Sequence, residues 1–154
     1  LAARSGAMGG SGPWAAWNNG MIGAGGGARG RIYAILVGAV RDNDETQRRW
    51  AVDALALFGG EEVVDPLLDI AAHDASSDVR ERAFCGLAQS GTLQLAERYR
   101  AVPGLLAIAE DHGASAQQRA WVFQALREIT ETYDVPEDVS AWHVALDRVG
   151  LLHR

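Results

Sequence analysis

Arginine recurs in one local setting along this sequence. Arg48, Arg80 and Arg119 each stand four residues after a residue that can cap a helix, namely Asp44, Ser76 or Ser115. Each also stands seven residues before a leucine, Leu55, Leu87 or Leu126. A guanidinium is a planar fork suited to paired hydrogen bonds with a carboxylate or with carbonyl oxygens. Three in one register therefore read as a structural ladder, with Asp44, Asp74 and Asp78 as candidate carboxylates. The functional alternative is a ridge of cations that binds an acidic partner. A phosphate site fits less well, because acids are interspersed among the arginines.

The other reactive groups form no constellation. Cys85 lies on the Arg80 stretch beside Phe84 and Gly86, where a thiol reads as a small buried or partly buried side chain. A lone cysteine permits no Cys-X-X-Cys pair, and no sequence feature sets a histidine beside it. The four histidines are scattered. His73 and His112 are placed near the ends of helices, where an imidazole can meet terminal carbonyls. No HExxH, paired zinc ligands or calcium loop is present. Glu61, Glu62, Glu97 and Glu128 fall at joints or on polar faces, where solvation and capping explain them without acid–base catalysis. Catalytic residues, cofactors and metals are accordingly not expected.

The 154 residues suffice for one domain with a real core. The 14 basic side chains are all arginine, against 20 acids and a net charge of −6, which disfavours non-specific phosphate binding. No apolar run is long enough to span a membrane. The first residue is Leu1 rather than methionine, so a fragment or processed product is expected. The compartment stays open, with cytoplasm favoured over an exported domain whose signal has been removed.

Composition splits the chain. Residues 1–30 hold ten glycines and no acid, and read as an arm or linker rich in glycine and tryptophan. Beyond them, three stretches align: "DETQRRWAVDALALFG", "SSDVRERAFCGLAQSG" and "SAQQRAWVFQALREIT". Each predicts a capped helix, with Gln47 and Gln118 at the capping-box position of the first and third. Ala51/Val52, Ala83/Phe84 and Val122/Phe123 give each an apolar face. Ala54, Gly86 and Ala125 would permit close helix approach. Upstream of each lies a further apolar helix: "RIYAILVGAVRDN", "EEVVDPLLDIAAHDA" and "RAVPGLLAIAEDHGA". Pro66 and Pro103 fit a first turn, or bend a slightly longer helix. The arginines recur at intervals of 32 and 39, the longer one absorbing "TLQLAERYR" and "DHGAS". Antiparallel helix pairs at this period define an α-solenoid.

The pattern resembles the HEAT-repeat family in its short bacterial form, over about residues 31–130. Asp78-Val79-Arg80 with Ala83 keeps the family's second-helix pattern in full. Gln47-Arg48 and Gln118-Arg119 keep the arginine and lose the valine. The tail, with Asp138 and Trp142 after "ALREIT", is similar to endings of bacterial members. The resemblance implies a right-handed all-α solenoid of three helix pairs, with residues 131–154 as a C-terminal capping segment. It implies a holder of other molecules rather than an enzyme.

The tryptophans are the candidate contact residues. Trp50 and Trp121 follow the ladder arginines on second helices, which often line the concave side of a solenoid. Trp142 is expected to plug the terminal cap. Trp14 and Trp17 stand three apart in "PWAAW", placed either to cap the first helix pair or to insert into a partner. The glycines around them lack the GKS or GKT ending and preceding strand of a phosphate loop. The reading is a non-catalytic scaffold or accessory subunit, contacting another protein through the arm and the second-helix face. Two other readings rest on fold resemblance alone. One is a bilin lyase or chaperone-like handler of chromophores; the other is a DNA-binding HEAT-like protein, which the absence of lysine disfavours.

Overall fold

The computed structural model describes residues 27–152. Among them are seven α-helices: α1 (Ala28–Ala39), α2 (Glu45–Phe58), α3 (Val64–His73), α4 (Ser77–Ala88), α5 (Leu95–Glu110), α6 (Ala116–Thr130) and α7 (Val139–Arg148). A 3-10 turn, Glu61–Val63, leads into α3. Among the described residues the first helix starts at Ala28.

The second helices begin at the expected caps. Asp44 accepts hydrogen bonds from the amides of Thr46 and Gln47, and Ser76 from that of Val79. Ser115 and Gln118 form the reciprocal box, each side chain accepting from the other's amide at 3.1 Å. Gln47 does not close such a box. The Asp44 amide that it would need is donated instead to Asp42 Oδ1, at 2.8 Å.

The pairs α1/α2, α3/α4 and α5/α6 stack in two layers. In one layer α5 packs on α3; in the other α4 packs on α2 and α6 on α4. Helix α7 packs on α5 and so extends the layer of first helices. Leu55, Leu87 and Leu126, the leucines of the repeat register, are all fully buried. Burial of each contributes roughly 2–3 kcal/mol of transfer free energy, and this repeats along the stack. Gly86 permits the close approach of α4 to α2: a Cβ there would lie 3.1 Å from that of Ala56.

The two prolines differ. Pro66 sits in the first turn of α3, where its missing N–H costs no helical bond. Pro103 lies inside α5, which runs back to Leu95. The residues that lengthen the third repeat are therefore extra helix, with the Gln94 amide donating to Glu97 at 2.7 Å.

The joint between α4 and α5 is tied to the neighbouring pair. Gly91 has φ +78, and a Cβ there would meet the Ala56 carbonyl oxygen at 2.3 Å. The next amide, of Thr92, donates to that oxygen at 3.0 Å. Only glycine combines that dihedral with so close a backbone approach. At the far end Trp142 is 0% exposed within the core.

Candidate partner-binding face

The repeated arginines turn inward to backbone. Arg48 donates from Nη1 to the Asp42 and Asn43 carbonyls, in the turn after α1. Arg80 donates to the carbonyls of Asp74 and Ala75 in the turn after α3. Arg119 donates to Ala109 at 3.1 Å and Asp111 at 2.7 Å, at the end of α5. Each thus satisfies acceptors where a first helix ends, which places a cation at the negative pole of its dipole. Arg48 also reaches the next pair, to the carboxylate of Asp74. That hydrogen bond is the first cause that raises the Arg48 pKa above the usual arginine value. Of the other candidate acids, Asp78 pairs instead with Arg49 at 3.0 Å, and Asp44 serves as a cap.

A fourth arginine follows the same rule and was not foreseen. Arg98 donates to the carbonyls of Gly86, Leu87, Ser90 and Leu93 at the end of α4. Burial pulls its pKa below the ordinary arginine value. It stands four residues after Gln94, the N-cap of α5, so the cap-plus-four spacing was a usable signal. Glutamine is a weak capping residue, and the stretch read as an insertion. Gln118 was likewise missed as a tie between pairs: its amide group donates to the Ala71 and Ala72 carbonyls at the end of α3.

With these groups turned inward, the outward face of the second helices carries a different set. On α2, Trp50 is 59% exposed and Leu57 is 65% exposed. Seven residues is close to two helical turns, so both lie on one stripe. Asp53, between them, accepts from Arg82 of α4 at 2.6 Å. Arg49 spans the same two helices to Asp78. Trp121 on α6 is only partly exposed, with its ring 5.8 Å from that of Phe84. The two tryptophans are not brought together, because α4 lies between α2 and α6. Trp14 and Trp17 lie outside the described residues. Trp142 is in the core and its Nε1 has no hydrogen-bond partner.

Cys85 is partly buried between α4 and α6. Burial, then the charges of Glu81 and Glu128, raise its pKa above the ordinary thiol value, which lowers the thiolate fraction needed for nucleophilic work. His73 does not meet the terminal carbonyls; its ring stands against the Asp69 carboxylate one turn back, at 3.1 Å. The His143 ring meets the Glu110 carboxylate, which ties α7 to the end of α5. Among the described residues no group of three or more histidine, cysteine, aspartate or glutamate side chains is placed to hold a metal ion. None of their helices is long and apolar enough to cross a membrane.

Stacked helix pairs, with inward arginines closing each first helix, define an all-α solenoid. The family model for HEAT repeats matches residues 22–88, which supports a HEAT-repeat solenoid over that part of the chain. The match ends with α4, and α5/α6 continues the same arrangement beyond it. No curated protein and no solved structure matches the chain. HEAT repeats commonly mediate protein–protein interaction and generally form a non-catalytic scaffold fold.

Proposed function

We propose that this chain is a protein-binding scaffold or accessory subunit that grips one partner through the outward face of its second helices. The observation that carries this reading is the exposed pair Trp50 and Leu57 on one stripe of α2. A solvated tryptophan holds a large apolar area out of water, and such side chains are frequent anchors of protein interfaces. The charges around it are already matched, Arg49 with Asp78 and Arg82 with Asp53. Arginines paired in this way favour a protein partner over nucleic acid, whose phosphates would have to displace those carboxylates. The N-terminal arm, through Trp14 and Trp17, supplies further contacts.

The test is site-specific photocrosslinking in the source cells, with benzoylphenylalanine at position 50 or, as a control, at the exposed Val144 of α7. A single protein captured from position 50 and not from 144 supports the reading, and W14A/W17A in the full chain should weaken that capture. Identical capture from both positions, or none from either, would overturn it.

A further inference from the structure

A shallow hollow of about 50 Å³ opens between α4 and α6 on the second-helix face. Its apolar wall is Phe84, Ala88, Trp121 and Ala125, and two acids, Glu81 and Glu128, line it as well. We infer that this hollow seats an arginine side chain of the protein partner, its guanidinium against Trp121 and beside the carboxylates of Glu81 and Glu128. The inference rests on the protein-binding reading above and names the chemistry of one contact.

Size, charge and shape each point to that occupant. The volume accommodates roughly three to four water-sized groups, which matches the four heavy atoms of a guanidinium. Neither Glu81 nor Glu128 forms an ion pair among the described residues. Glu128 accepts a hydrogen bond from Gln124 at 3.0 Å, which holds the carboxylate without neutralising it. Arg82, the cation on the same helix, is turned to Asp53 and Asp78 on the α2 side. The raised pKa of Cys85, which also lines the hollow, owes part of its shift to the charges of Glu81 and Glu128. Arg98 and Arg82 act on this site at longer range, through Glu128 and Cys85. A cation entering here therefore finds two carboxylates without an ion-pair partner beside an indole. Guanidinium exploits both, since its plane stacks on aromatic rings and its fork pairs with carboxylates. A neutral apolar side chain would leave the carboxylates beside it desolvated and unpaired.

The test is a titration of the full-length, nitrogen-15-labelled protein with acetyl-Ala-Arg-Ala-amide. The citrulline peptide, which is the same shape without the charge, and the leucine peptide serve as comparisons. The Trp121 indole signal is assigned with W121F. The expected result is a saturable shift of the Trp121 indole and the Cys85 and Ala88 amides with the arginine peptide. Citrulline and leucine peptides should bind at least about fivefold more weakly, and E81Q/E128Q should abolish the difference. Equal binding of the three peptides, no binding, or shifts confined to other surfaces would overturn the inference. The two glutamates are exposed or partly exposed, so the double variant keeps the fold, which its unperturbed Trp142 indole signal verifies. Crosslinking the unaltered protein from position 50 separates the two proposals. Intact capture without selective peptide binding sinks only the arginine seat, whereas selective peptide binding without capture sinks the scaffold reading.

Discussion

The Arg48 guanidinium and the Asp74 carboxylate meet in a two-point pair between consecutive helix pairs, Nε to Oδ2 at 2.9 Å and Nη2 to Oδ1 at 3.2 Å. Their side chains are only 15% and 7% exposed. Asp74 also accepts from the Ser76 amide at 2.8 Å, so one carboxylate both shapes the turn before α4 and joins it to α2. Arg48→Ala leaves that carboxylate and two turn carbonyls without their donor. The expected loss is about 2–4 kcal/mol, seen as a fall in the urea midpoint. Arg48→Lys keeps the charge but not the fork, and should recover less than half of the loss. Equal stability of all three proteins would show that the pair contributes nothing.

Backbone geometry gives an internally controlled comparison. Gly91→Ala drives a methyl into the Ala56 carbonyl at a positive φ, and is expected to cost more than about 2 kcal/mol. Gly38, near the end of α1, has nothing within 4 Å of an added Cβ, so Gly38→Ala should be neutral or gain about 0.5 kcal/mol. Glu131 ends α6 in the left-handed region at φ 54, and Glu131→Gly should stabilise by up to about 1 kcal/mol. Thermal melts of the three variants check the order.

Tyr33 connects stability to alkaline pH. Burial, followed by the charges of Glu62 and Asp65, pushes its pKa up to about 12 from 10.0. The folded chain therefore keeps the phenol protonated where the unfolded chain ionises it. The resulting stability is fully present below pH 10 and is lost as pH rises from 10 to about 12. It amounts to about 3 kcal/mol at most. Tyr33→Phe should flatten this part of the stability–pH curve while losing the hydrogen bond that the hydroxyl donates to the Glu62 carbonyl at 3.1 Å.

The single thiol reports on its surroundings. With its pKa raised, Cys85 should react with iodoacetamide at pH 8 more slowly than free cysteine does, and its rate should keep climbing at higher pH. Removing both flanking charges in E81Q/E128Q should speed the reaction at pH 8 while leaving the burial effect in place. A rate equal to that of free cysteine would mean that neither burial nor charge acts on the thiol.

Helix identity was legible because it is local. The caps Asp44, Ser76 and Ser115 all accept their amides, and the apolar spacing brings Leu55, Leu87 and Leu126 into the core. These depend on residues within a turn or two of one another, so order along the chain suffices. The extent of α5 was not legible, because Pro103 is compatible with a first turn or a helix interior, and only the packing of α5 between α3 and α7 selects the longer helix.

The targets of the arginines divide along the same line. Their register followed from sequence, since the cap-plus-four spacing returns each chain to the end of the preceding helix. That Arg48 alone adds a carboxylate from the next pair depends on how two pairs stack, as does the tie from Gln118 to α3. Exposure is the sharpest case. Trp50 and Trp121 each stand two residues after the ladder arginine of their repeat, yet one is solvated and the other leans on Phe84. Burial belongs to a neighbour's surface rather than to a residue, so the tertiary structure decided it.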